Sequence, residues 1–198
     1  MEYKLKTPVP LAALKKLRTG DVIYISGTIV TARDEAHKKA LELHEEGKKL
    51  PVDFKGIGVF HCGPIMRKTT SGWETVAAGP TTSDRMEIFE DQFIEAFRPA
   101  VIIGKGGMGE RTSKACKKHG CVYTAFTGGA ALLASRGIKA VKDVYWLEEL
   151  GMPECLWVYE VDNFGPLIVT IDTHGGNLTA KVAETVRARR DKIMEEMK

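Results

Sequence analysis

With 198 residues, 43% of them hydrophobic and 28% charged, the chain is long enough for one full core and reads as a soluble globular protein. A formal net charge of +3 without any Lys/Arg run argues against nucleic acid as a partner and is compatible with a small anionic ligand. No apolar run reaches membrane-spanning length and no signal-peptide pattern opens the chain, so a cytoplasmic protein with no membrane partner is expected.

The elements follow in order. Residues 1–19 are a lead-in whose Leu5, Val9, Leu11, Leu14 and Leu17 dock on the body. Asp21 to Gly27 predicts a strand, Thr28 to Thr31 a short β-branched connection, and Ala32 to Glu46 a helix stopped by Gly47. Arg33 sits in that helix's first turn, just past a strand–loop transition, which makes it a ligand candidate; the plainer alternative is a solvated arginine paired nearby. Gly56 to Gly63 reads as a short apolar strand. His61 and Cys62 invite a dyad, but adjacent strand residues point to opposite faces, so both read as buried strand residues. Arg67 to Gly72 is a turn or hairpin leading into the strand Trp73–Ala77.

The next stretch, Ala78-Gly79-Pro80-Thr81-Thr82-Ser83-Asp84-Arg85, organises the chain. Gly-Pro turns it, Thr82 or Ser83 is the N-cap candidate, and Met86, Phe89, Phe93, Ala96 and Phe97 follow at helical spacing. Arg85 in the first turn adds positive charge where unpaired N–H groups already provide it. That suits an anion held by N–H groups, hydroxyls and a guanidinium together; a capped helix with a solvated Arg85 is the alternative.

Ala100 to Ile103 is an apolar strand, followed by Gly104-Lys105-Gly106-Gly107-Met108-Gly109, a loop whose glycines permit close backbone approach to a ligand. It matches neither GxxxxGK[ST] nor GxGxxG. A helix over Glu110–His119, a strand over Cys121–Ala125 and a helix opened by Thr127-Gly128-Gly129-Ala130 come next. Val141–Trp146, Trp157–Val161 and Pro166–Asp172 read as three strands, the last two joined through Asp162–Gly165. Leu178–Lys198 is a charged helix with Val182, Val186, Ile193 and Met194 inward. The four cysteines, Cys62, Cys116, Cys121 and Cys155, form no CxxC pair and read as buried thiols; His174 has no partner and no role.

Strands alternating with helices argue for one α/β domain over residues 1–198. Three ordered motifs, Ala78–Met86, Ile103–Met108 and Phe126–Ala131, resemble the β subunit, or C-terminal domain, of class I iron–sulfur fumarate hydratases, the family that also holds L-tartrate dehydratase β subunits. The resemblance implies a swivelling β/β/α domain with an N-terminal lead-in over 1–19 and a C-terminal helix over 178–198. It implies reversible hydration of fumarate to (S)-malate, as in the tricarboxylic acid cycle, with dehydration of L-tartrate to oxaloacetate as the alternative. It places a [4Fe-4S] cluster on a separate α subunit, in a hetero-oligomer such as α2β2, with no metal ligand on this chain. It makes Thr81 the candidate base and Arg33, Arg85, Lys105 and Thr82 the candidate contacts to a small dicarboxylate. A non-catalytic anion-binding or scaffold subunit is the reading of a different class.

Overall fold

The computed structural model describes residues 1–70, 72–127, 129 and 131–197. Four parallel strands, β1 (Glu2–Lys6), β2 (Val22–Thr31), β3 (Gly58–Phe60) and β6 (Val101–Gly104), continue into a fifth, β7 (Val122–Ala125). The long strand β9 (Leu156–Ile171) pairs antiparallel with β7 on one side and with β2 on the other. That double pairing closes β2, β3, β6, β7 and β9 into a barrel, with β1 beside β2 and β8 (Ile138–Tyr145) beside β9. A separate hairpin, β4 (Ile65–Thr69) and β5 (Gly72–Ala77), projects between β3 and the organising stretch.

Successive residues of the parallel strands serve two cores. Ile29, Phe60, Val101, Ile103 and Val122 enter the core shared with Trp157, Tyr159 and Phe164. Their neighbours Val30, Val59, Ile102 and Tyr123 face the core shared with the helices. Strands buried on both faces read as continuous apolar runs, as these do. The helices are α2 (Asp34–Glu45), α3 (Glu90–Phe97) and α4 (Glu110–His119). Ala36 and Ala40 of α2, Phe93 and Ile94 of α3, and Ala115 and Cys116 of α4 supply their buried sides. Gly120, at φ 78°, ends α4 in the left-handed conformation that glycine adopts without strain.

Four expectations change. The lead-in is structured, as β1 and a short helix α1 (Leu11–Leu14). Thr28–Thr31 is not a connection but the second half of β2, because it pairs with both β3 and β9. The two expected final strands are one: Asn163 (φ 48°) and Gly165 take unusual backbone angles, and the ladder to β2 absorbs the irregularity by shifting register instead of stopping. The C-terminal helix, here α7 (Leu178–Glu196), buries none of its residues. Val182, Val186, Ile193 and Met194 are each more than half exposed, so among the described residues no surface covers that stripe of α7. Gly128 and Ala130 of the expected Thr127–Ala130 turn lie outside the described residues; a helix, α5 (Ala131–Gly137), follows them. α6 (Leu147–Leu150) completes the set.

The contrast between α3 and α7 is measurable. Phe93→Ala, inside the helix-side core, should cost about 3–5 kcal/mol in denaturant unfolding. Ile193→Ala on α7 should stay within about 0.5 kcal/mol.

Candidate active site

β3 and β6 pair as far as His61, whose N–H donates to the Ile103 carbonyl at 2.8 Å. Beyond that point the organising stretch enters between the two strand ends. Thr81 N–H donates to the His61 carbonyl (2.7 Å), Lys105 N–H to the Thr81 carbonyl (3.2 Å), and Ser83 N–H to the Lys105 carbonyl (3.0 Å). Pro80 bridges Cys62 on the β3 side. Backbone groups freed by the parting strands are thus satisfied by this wedge. Gly104 makes room for it, since a Cβ there would lie 1.8 Å from Ser83 Oγ. The wedge brings Thr81 and Thr82 to the carboxyl ends of the parallel strands, the end at which parallel α/β sheets and barrels bind ligands.

Arg33 arrives from the neighbouring strand end, two residues past β2. Its Nη2 lies 3.1 Å from Glu154 Oε1. Its guanidinium crosses Gly63, where a Cβ would sit 2.5 Å from Nη1 and 2.9 Å from the Pro153 carbonyl oxygen. Arg33 Nε is buried without a hydrogen-bond partner among the described residues. Arg85 grips Asp34, the residue next to Arg33, through Nε and Nη2. Burial pushes the Asp34 carboxyl up, but the Arg85 bonds outweigh it and hold the group below its ordinary range. Lys105 is half-buried and has no ion-pair partner among the described residues; the Thr81 hydroxyl is half-buried and likewise without a partner. Thr82 is exposed. All five candidate residues therefore gather at adjoining ends of β2, β3 and β6.

One expectation about this site changes. Arg85 lies in a 3₁₀ helix, Ser83–Ile88, not in the first turn of α3, and Thr82 holds the N-cap position without a side-chain cap bond. The longer helix that follows the glycine loop, α4, has its N-terminus occupied: the Glu87 carboxylate accepts from the N–H groups of Gly109, Arg111 and Thr112 and from the Thr112 hydroxyl. The N-terminus of α4 is therefore taken by Glu87 and is not open to a substrate carboxylate.

Beneath the wedge lies a cluster that the sequence reading did not find. Glu90, His37 and His61 are fully buried, with Glu90 Oε2 3.4 Å from His37 Nε2 and 3.1 Å from His61 Nε2. His37 Nδ1 lies 2.8 Å from the Arg33 carbonyl oxygen, an acceptor, so it carries a proton. His61 Nδ1 lies 2.9 Å from Ser83 Oγ, which also accepts from Lys105 N–H at 3.3 Å. Burial pushes His37 down, but the Glu90 carboxylate outweighs it and the net shift is upward. Burial prevails at His61, whose shift is downward. Burial opposes ionisation of Glu90, and the two histidines hold its carboxyl at about 2 all the same. The shifts favour the charged form of His37 and the neutral form of His61, and a proton on His61 Nε2 is the one that faces the Glu90 carboxylate. The available signal was Glu90 itself: a carboxylate at helical spacing between Met86 and Phe93 on an apolar face.

Among the described residues, only these three side chains bring possible metal-ligand atoms together, within 4.8 Å of one another. The thiols do not suit an iron–sulfur cluster. Cys62 and Cys155 lie in one core, Cys116 and Cys121 in the other, on the opposite face of the sheet, and all four are free and buried. Burial pushes the Cys155 thiol up to about 12, away from the thiolate that ligation needs. His174 Nε2 meets the Lys15 carbonyl at 2.9 Å, remote in sequence from the site.

The fumarase C-terminus family matches residues 1–182. The β subunit of L(+)-tartrate dehydratase from Escherichia coli K12 is 47% identical over 197 residues, covering 100% of this chain and 96% of that one. A putative L(+)-tartrate dehydratase β subunit from Methanocaldococcus jannaschii is 44% identical over 181 residues, 91% of this chain and 93% of that one. A putative class I fumarate hydratase from Geobacillus stearothermophilus is 42% identical over 175 residues, 88% of this chain but 33% of that longer one.

The buried cluster fixes a pH dependence. The raised His37 contributes stability that is complete below about pH 6.5 and is lost as pH rises through its folded value. The depressed Glu90 contributes stability that is complete above about pH 4.5 and is lost as pH falls toward 2. The stability difference between wild type and Glu90→Gln should therefore be largest at about pH 5–6.5 and shrink on both sides. Denaturant titrations across pH 3–9 check it; a difference that keeps growing above about pH 7 would contradict the assignment of charge to His37.

Proposed function

This chain belongs to the fumarase C-terminus family, as a β subunit of the class I fumarate hydratase and tartrate dehydratase type; from that premise we propose that it adds or removes water across the C2–C3 bond of a four-carbon dicarboxylate. The observation that carries the reading is the convergence of Arg33, Arg85, Lys105 and Thr81 at adjoining strand ends. Hydration of fumarate to (S)-malate is the first reaction to test. Dehydration of L-tartrate to oxaloacetate is the second, favoured by the names of relatives matched over nearly their whole length.

A dicarboxylate has an anionic group at each end. Lys105 is available to one directly. Arg33 and Arg85 each hold one carboxylate of this chain, so a substrate carboxylate adds to or replaces Glu154 or Asp34 as partner. A guanidinium meets a carboxylate with two parallel N–H donors, which orients the substrate as well as binding it. In the dehydration direction Thr81, as its alkoxide, takes the C3 proton, the C3–H electron pair becomes the C2–C3 double bond, and the C2 hydroxyl leaves with its bonding pair and gains a proton from solvent to depart as water. Negative charge develops on the carboxylate next to C3, and cations already in place stabilise it without reorganising. A hydroxyl is a weak base in water and burial makes its anion costlier still, so a cation such as that of Lys105, whose backbone N–H bonds the Thr81 carbonyl, has to offset that cost.

The family's [4Fe-4S] cluster, which would supply Lewis-acid chemistry at the substrate hydroxyl, is assigned to a partner α subunit, in keeping with the misfit of the thiols here. This chain then forms one wall of a shared site, and its 1–198 span acts as one domain of the assembly.

The test is anaerobic co-expression with the cognate cluster-bearing subunit, following fumarate and L-tartrate in parallel. Turnover of either substrate should need both chains; activity of the pure single chain would contradict the reading. Within the complex, Thr81→Ala should lower kcat by about 10²–10⁴-fold. Arg85→Lys should cost nearly as much as Arg85→Ala, because lysine lacks the paired donors. A harmless Arg85→Lys would remove Arg85 from direct carboxylate binding.

A further inference from the structure

We propose that Glu90, His37 and His61 are positioning residues that hold the two halves of the site, Arg33 on one side and the Thr81–Lys105 segment on the other, in a single frame. The inference rests on the functional reading above and concerns residues that touch no substrate.

The two arms start from one oxygen. Along the first, Glu90 Oε2 faces His37 Nε2, and His37 Nδ1–H donates to the Arg33 carbonyl at 2.8 Å. The His37 backbone N–H donates to the same carbonyl at 2.9 Å. Arg33 is the residue from which α2 starts, so fixing its carbonyl fixes where its side chain sets out. Along the second arm, Glu90 Oε2 faces His61 Nε2, and the Ser83 hydroxyl donates to His61 Nδ1 at 2.9 Å. Ser83 Oγ accepts from the Lys105 N–H, and the His61 carbonyl accepts from the Thr81 N–H. Four separate chain segments, at 33–37, 61, 81–83 and 105, are thereby referred to one carboxylate on α3.

Packing alone does not ask for this. Apolar residues of similar volume often replace a buried ionic group without loss of stability, whereas a buried polar bridge accepts only one arrangement of its partners. Phe89 and Phe93 flank His37, with ring centroids 5.4 and 4.4 Å away, and restrict the imidazole to the orientation that reaches both Arg33 and Glu90. At Oε2 the two contacts are ion-pair contacts, at 3.4 and 3.1 Å, without hydrogen-bond alignment, whereas the outer nitrogens are hydrogen-bonded to the Arg33 carbonyl and to Ser83 Oγ.

The variants that separate positioning from bulk stability are Glu90→Gln, Glu90→Met and Ser83→Ala, assayed in the two-subunit complex below their melting temperatures. Gln keeps the shape and, with its carbonyl oxygen where Oε2 lies, can still face both Nε2–H groups. Met fills the volume and bridges neither. Misplacement on the ångström scale predicts a kcat loss of about 10- to 100-fold in Glu90→Met and Ser83→Ala. KM should stay within about threefold, since uniform binding is not what is lost. Glu90→Gln should recover at least about tenfold over Glu90→Met. Equal losses in Gln and Met, or wild-type kcat in Ser83→Ala, would overturn the proposal. A second readout needs no turnover: in ¹⁵N-labelled full-length chain, the amide signals of Arg33, Thr81 and Lys105 should all move in Glu90→Met relative to Glu90→Gln. Movement at one end only, or a stoichiometric metal in the purified chain, would overturn it. A wild-type complex that turns over neither substrate would instead sink the functional reading, and the amide signals would then decide the positioning role alone.

Discussion

Where two parallel strands stop pairing, their next N–H and C=O groups must find other partners, and the candidate site is built on that requirement. β3 and β6 part after His61 and Ile103, and the segment around Thr81 completes the ladder from between them. The residue types follow. Gly104 has no side chain because Ser83 occupies the space a Cβ would take, and Gly63 has none because Arg33 crosses it. At these two positions glycine is space left for the candidate side chains and their supports. Neither glycine is a flexible hinge.

The same wedge accounts for the charge buried beneath it. A carboxylate and two histidines with no solvent exposure cost solvation that their attraction repays only when geometry is good. Here the outer nitrogens of both rings are tied to the site, one to the Arg33 carbonyl and one to Ser83 Oγ. Arg85 and Asp34 add a surface tie between the same two segments, above the buried one. The two cations from β2 and the wedge are therefore set by neighbours on both sides, while Lys105 stays without an ion-pair partner among the described residues.

Much of this was legible in the sequence, and the exceptions have physical causes. Helix α4 and strands β6 and β7 lie close to where apolar periodicity put them, since strands buried on both faces and a capped, glycine-stopped helix leave strong local marks. Thr81, Arg33, Arg85 and Lys105 came from motifs, and the fold does bring them to one end of the sheet. What local pattern could not give was pairing between distant segments. Thr28–Thr31 belongs to a strand because β3 and β9 flank it, and Asp162–Gly165 continues β9 because β2 tolerates the bulge. The inward face expected of α7 failed for the converse reason: amphipathic spacing shows that a stripe exists, not that a surface lies beneath it. The roles of His37 and Glu90 exist only once α2, α3 and β3 meet.

Barrel closure also sets an order of events during synthesis. β9 seals the barrel by pairing Val30 with Val158 and Val22 with Ile168, contacts that span most of the chain. Loop-closure entropy makes such long-range pairing slow, and a chain emerging from the ribosome exposes its N-terminal segments first. The edge of β2 must therefore stay open until β9 has been made, whereas β3, β6 and the segment around Thr81 can already associate. The end of the sheet that carries the candidate site is assembled from parts translated before the strand that locks the barrel, and the newborn chain carries an unpaired β2 edge through that interval.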